Sequence, residues 1–90
     1  MLEAYPNAEL GQTILFARFP QSVTGAVQVT IHDGQGQERA EVAGSVERGS
    51  AMLVWDGKAA DGSACEPGSY VARMRGPEQE LSASFEVPGI

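Results

Sequence analysis

The sequence predicts an all-β sandwich of the immunoglobulin or fibronectin type III kind, with about seven strands in a single domain over residues 1–90. Three observations carry this. Apolar residues alternate with polar ones at period two from residue 12 onward. Glycine and proline turn signals separate these runs about every 10–15 residues. No segment shows the 3.6-residue apolar spacing of a helix.

The elements follow in order. A short strand is expected around Leu2 to Tyr5. Leu15, Ala17 and Phe19 share one face of the next, which Pro20 ends. Val27, Val29 and Ile31 share one face of another, and Gln28, Thr30 and His32 take the polar side. Asp33-Gly34-Gln35-Gly36 marks a hairpin, because glycine reaches positive φ without a Cβ penalty. The return strand, Gln37 to Ala43, carries Glu38, Arg39 and Glu41, charges that suit a sheet edge. Gly44 and Gly49 are expected to bracket a polar connection. Ala51, Leu53 and Trp55 face inward on the following strand. A long loop then runs through Asp56-Gly57, Asp61-Gly62-Ser63 and Pro67-Gly68. Tyr70, Ala72 and Met74 alternate next, Gly76-Pro77 turns the chain, and Leu81, Ala83, Phe85 and Val87 alternate on the last strand before Pro88-Gly89.

Composition narrows the function. The 90 residues are 42% hydrophobic and 20% charged, the proportions of a folded domain. A chain of this size buries roughly 60–65% of its unfolded surface, so its stability margin is modest. Twelve acidic against six basic residues leave a net charge of −6. Nucleic-acid binding needs a basic face to release counterions from phosphates, and Arg73 and Arg75 alone do not make one. Anionic lipid is disfavoured for the same reason. The longest strictly apolar runs, such as Ala51–Trp55, are far below the roughly 20 residues of a membrane-spanning helix. The start shows no basic end followed by an apolar stretch, so no signal peptide is expected. A single cysteine, Cys65, excludes an internal disulfide.

Residues that could carry chemistry read as structure. Trp55 continues the inward face of Ala51 and Leu53, so its ring is expected in the core, and Asp56 and Gly57 are expected to make the turn beyond it. Tyr70 reads as a core tyrosine whose hydroxyl reaches the surface. Asp56, Asp61 and Glu66 share a loop with Gly62, but an EF-hand needs acidic residues where Gly57 and Ala59 stand, so no metal site is expected. His32 and Cys65 do not complete a zinc site, and nothing pairs them for nucleophilic catalysis. No catalytic residue and no cofactor are expected. Ile14, Phe16 and Val71 lie on the faces opposite the core series and are the main surplus apolar surface, expected either to form one modest interface patch or to be covered by a short N-terminal strand or by a part of the protein outside these residues.

The order Val27-Gln28-Val29-Thr30-Ile31-His32-Asp33, Leu53-Val54-Trp55-Asp56-Gly57, Asp61-Gly62, Pro67-Gly68-Ser69-Tyr70 resembles the immunoglobulin-like module of the bacterial flagellar hook-capping family (FlgD). The similarity runs from about residue 10 to 87, and Trp55-Asp56-Gly57, Asp61-Gly62 and Pro67-Gly68-Ser69-Tyr70 are its most specific part. It implies a non-enzymatic assembly role at the distal end of the hook, outside the cell, with hook subunits and other cap copies as partners. Export through the flagellar channel bypasses disulfide formation, which is compatible with a lone cysteine. The family's tudor-like barrel and long N-terminal region find no place in these 90 residues, so the module alone is expected to be monomeric. The alternative is an accessory spacer or attachment module of another bacterial secreted or surface protein.

Overall fold

The computed structural model describes residues 1–7, 9–76 and 79–88. Among these residues there are seven strands: β1 Leu2–Asn7, β2 Gln12–Arg18, β3 Gly25–Asp33, β4 Glu38–Val46, β5 Ser50–Trp55, β6 Gly68–Arg75 and β7 Glu80–Val87. They form two antiparallel sheets, a three-stranded one ordered β1-β2-β5 and a four-stranded one ordered β4-β3-β6-β7. Alternation decides which side chains lie between the sheets. Leu15, Ala17, Leu53 and Trp55 from the small sheet meet Val29, Ile31, Ala72 and Met74 from the large one, all buried. The expected first strand exists, and its Leu2 joins this core. Pro77 and Gly89, expected in turns, lie outside the described residues.

The turns follow local chemistry. Asp33 Oδ1 accepts the N–H groups of Gln35 and Gln37, and Gly36 N–H donates to Asp33 C=O, closing the β3–β4 hairpin. Arg48 and Gly49, with φ of 51° and 80°, make the two-residue corner between β4 and β5.

The expected polar connection from Gly44 to Gly49 is shorter than anticipated. β4 runs through Gly44 to Val46, which is fully buried. A Cβ on Gly44 would sit 2.9 Å from Leu53 Cγ. The glycine therefore lets one sheet pass over a large side chain of the other rather than making a turn.

Candidate functional site

The most conspicuous residues gather at one end of the sandwich, in the loop from Trp55 to Tyr70. Trp55 is 2% exposed. Its ring packs edge-on against Tyr70 (centroids 5.6 Å apart) and Phe85 (6.0 Å), and these two stack on each other. The Trp55 indole N–H donates to Lys58 C=O at 3.0 Å, so the buried polar edge of the ring is satisfied by the loop it anchors.

The rest of the loop is a miniature hairpin. Asp56 Oδ1 accepts Lys58 N–H at 3.0 Å, the expected Asx turn. Gly57 has φ +77°, and a Cβ there would lie 2.3 Å from Gly11 C=O, so both its conformation and its surroundings require glycine. Cys65 N–H returns to Gly57 C=O, Lys58 bridges Ala64, and Ala59 N–H donates to Ser63 C=O. Asp61 Oδ1 accepts both the N–H and the hydroxyl of Ser63, and these bonds hold its carboxyl below its ordinary 3.8. Gly62, at φ +89°, turns the tip, and Ala60 N–H ties the loop to Arg39 C=O on β4. At the far end Pro67 and Gly68 lead into β6, and Tyr70 O–H donates to Glu66 C=O. Burial, with the Cys65 thiol second, pushes the Tyr70 phenol above its ordinary 10.0.

Chemically, this end is occupied with itself. The carboxylates of Asp56 and Asp61 are turned onto their own loop's backbone. No three His, Cys, Asp or Glu side chains converge as a metal would require, among the described residues. Beside the loop lies a mainly apolar hollow of about 360 Å³, walled by Leu10, Thr13, Gly57, Cys65, Pro67 and Val87. Cys65 is half-buried there against the core. His32 lies elsewhere, on the outer face of the large sheet, where its Nε2 shares a hydrogen bond of 2.9 Å with Thr30 Oγ1.

That outer face is mostly polar. Gln28, Thr30, Glu38, Glu41, Arg73 and Arg75 line a shallow hollow of about 310 Å³. Gln28 donates to Glu41, and Arg75 approaches Glu80 at 3.9 Å in an exposed pair. Such a pair contributes at most about 1 kcal/mol.

The surplus apolar residues are divided between opposite sides. Val71 lies on this polar face, between His32 and Ser84. Ile14 and Phe16 lie on the outer face of the small sheet, so the three cannot make one patch. Alternation places a residue opposite the core but does not say to which sheet it belongs. On the small sheet, Ile14 is flanked by Tyr5 and Val54, and Phe16 by Glu3 and Met52. Tyr5, Met52 and Val54 are 51%, 68% and 46% exposed, and the Arg18 guanidinium sits 5.4 Å from the Phe16 ring centre. Sequence reasoning passed over Met52 and Val54. The signal was the uninterrupted apolar run Ala51–Trp55, which makes β5 apolar on both faces.

Among known proteins, the family model for the FlgD Ig-like domain matches residues 8–79. The match takes in β2 through β6 and the whole Trp55–Tyr70 loop. No curated protein matches the chain.

Proposed function

The chain belongs to the FlgD Ig-like domain family, and we propose that it serves as the sandwich module of a flagellar hook cap. It acts by contact and not by catalysis. In this reading it lies outside the cell at the distal end of the growing hook. There it touches hook subunits and neighbouring cap chains, so that subunits add in order. The family match over residues 8–79 carries the proposal. The geometry supports it: the polar groups of the Trp55–Tyr70 loop close on the loop itself, leaving edges and outer faces as the available surfaces. A net charge of −6 weakly opposes self-association of the isolated chain, which fits a monomer whose assembly contacts come from elsewhere in a cap protein.

The test is deletion of residues 8–79 from the gene in its own host, followed by electron microscopy of flagellar hooks and detection of hook protein in the medium. Loss of hooks, with hook protein released unpolymerised, is expected. Normal hooks and normal swimming would overturn the proposal and leave a spacer or attachment module. Sedimentation velocity of the 90-residue chain is expected to give a monomer at micromolar concentration.

A further inference from the structure

Among the described residues the sandwich has four sheet edges, and three carry a proline, a charge or a bulge. In β1 the hydrogen-bonding phase is set by Met1, which exchanges bonds with Arg18, so Leu2, Ala4 and Pro6 direct their backbone outward. Pro6 has no N–H to offer a newcomer. β4 carries Glu38 and Glu41, and Arg39 is bulged out between the partners of His32 and Ile31, with its C=O taken by Ala60. On β7 the bond from Gly76 N–H to Gln79 C=O puts Glu80, Ser82, Ser84 and Glu86 on the outward phase, a polar series with a carboxylate at each end.

β5 differs. Phe19 N–H donates to Gly49 C=O at 2.8 Å, so positions 49, 51, 53 and 55 bond to β2 while 50, 52 and 54 point away from it. Ser50 exchanges both its bonds with Glu47 at the corner. Met52 and Val54 remain, and their N–H and C=O groups have no partner among the described residues. The same two residues expose their side chains, and β5 has no charge, proline or bulge to discourage pairing. Unpaired backbone and exposed apolar side chains therefore coincide at one short window.

We propose that the β5 edge is a docking site for an extended segment of a partner protein, neutral or basic and apolar at alternate positions. The backbone selects the conformation, since only an extended chain matches two donors and two acceptors in strand spacing. The apolar residues of such a segment would continue the rows Tyr5-Ile14-Val54 and Phe16-Met52 on the outer face. Charge selects against acidic partners. Beside β5 opens a groove of about 540 Å³ lined in part by Glu41, Asp56 and a single basic residue, Lys58, in a chain whose net charge is −6. A second copy fits poorly: it brings another −6, and the window between the corner and the Ala60 tether is too short for the roughly 1,200–2,000 Å² of a stable dimer. The inference stands on the edge itself and does not need the hook-cap reading.

The test is a ¹⁵N NMR titration of the 90-residue chain with the peptide acetyl-Val-Thr-Val-Lys-Val-Thr-amide. The amides of Met52 and Val54 are expected to shift and to exchange more slowly with solvent, while those of Ser82 and Ser84 stay unchanged. Val54→Lys, which puts a charge on the edge without altering the β2 ladder, is expected to lose the response while Trp55 fluorescence reports an intact fold. A response confined to β7, or none at Met52 and Val54, would overturn the proposal. So would protection of these two amides that grows with protein concentration without peptide, which would assign the edge to a second copy.

Discussion

The Trp55–Tyr70 end and the β5 edge lie side by side and use their residues in opposite ways. At the loop end, indole, carboxylates, hydroxyls and glycines all act on one another, and the result is a hairpin sealed onto an aromatic cluster. At the edge, Met52 and Val54 turn both side chain and backbone away from the rest of the molecule. The comparison teaches that the residues by which such a chain is recognised are architectural, while the surface free to meet a partner is built from residues that no motif marks. Substitutions at the two places should therefore differ sharply in their effect on stability.

Trp55→Ala gives the largest expected effect. It removes the buried ring that touches Tyr70 and Phe85, and it strands the carbonyl of Lys58. The expected loss is about 3–5 kcal/mol, a large share of a small domain's stability. Chemical denaturation followed by far-UV circular dichroism reads it. An unchanged midpoint would remove Trp55 from the core and dissolve the contrast.

Gly57→Ala comes next. A Cβ at φ +77° and 2.3 Å from Gly11 C=O forces a backbone shift. The expected cost is about 1–3 kcal/mol, again measured from the denaturation midpoint. A neutral result would mean that the loop moves freely and is not sealed to the β1–β2 turn.

Tyr70→Phe is smaller, at about 0.5–1.5 kcal/mol for the hydroxyl bond to Glu66 C=O. It also carries a pH signature. The folded phenol titrates above its ordinary 10.0, mainly through burial, so its contribution is complete below that value and is lost as pH rises through the folded value. The wild type is expected to lose stability more steeply than the variant in alkali. Parallel profiles for the two proteins would show that the phenol is not held by the fold.

Much of this was legible in the sequence. Val27-Val29-Ile31 and Tyr70-Ala72-Met74 announce strands because alternation is a local property, and Asp56-Gly57 and Asp61-Gly62 announce turns because an Asx turn and a positive φ are local too. Features that depend on two distant segments were not legible. Gly44 reads as a turn until Leu53 is seen beneath it from the other sheet. Val46 falls inside the expected connection from Gly44 to Gly49 and is core. Ile14, Phe16 and Val71 look alike in the alternation and lie on opposite sides of the molecule. The hydrogen-bonding phase of an edge follows from register, and register is set by pairing partners that the sequence does not name.

The smallest expected effect is the one that sharpens the comparison most. The double substitution Met52→Thr/Val54→Thr removes two exposed apolar side chains, 68% and 46% accessible, from the outer face of β5. Neither residue bonds to β2 through its backbone, and Thr is as well suited to a strand as the residues it replaces. Little buried area is lost, so stability is expected to stay within about 0.5 kcal/mol of wild type, the range for surface changes away from special features. The same substitution strips the apolar character from the window while leaving its donors and acceptors in place. It therefore separates the two attractions of the edge: a peptide response that survives would be carried by the backbone, and one that vanishes would be carried by the side chains. A loss of more than about 1 kcal/mol would show that Met52 and Val54 support the fold after all, and the division between a sealed end and an open edge would fail.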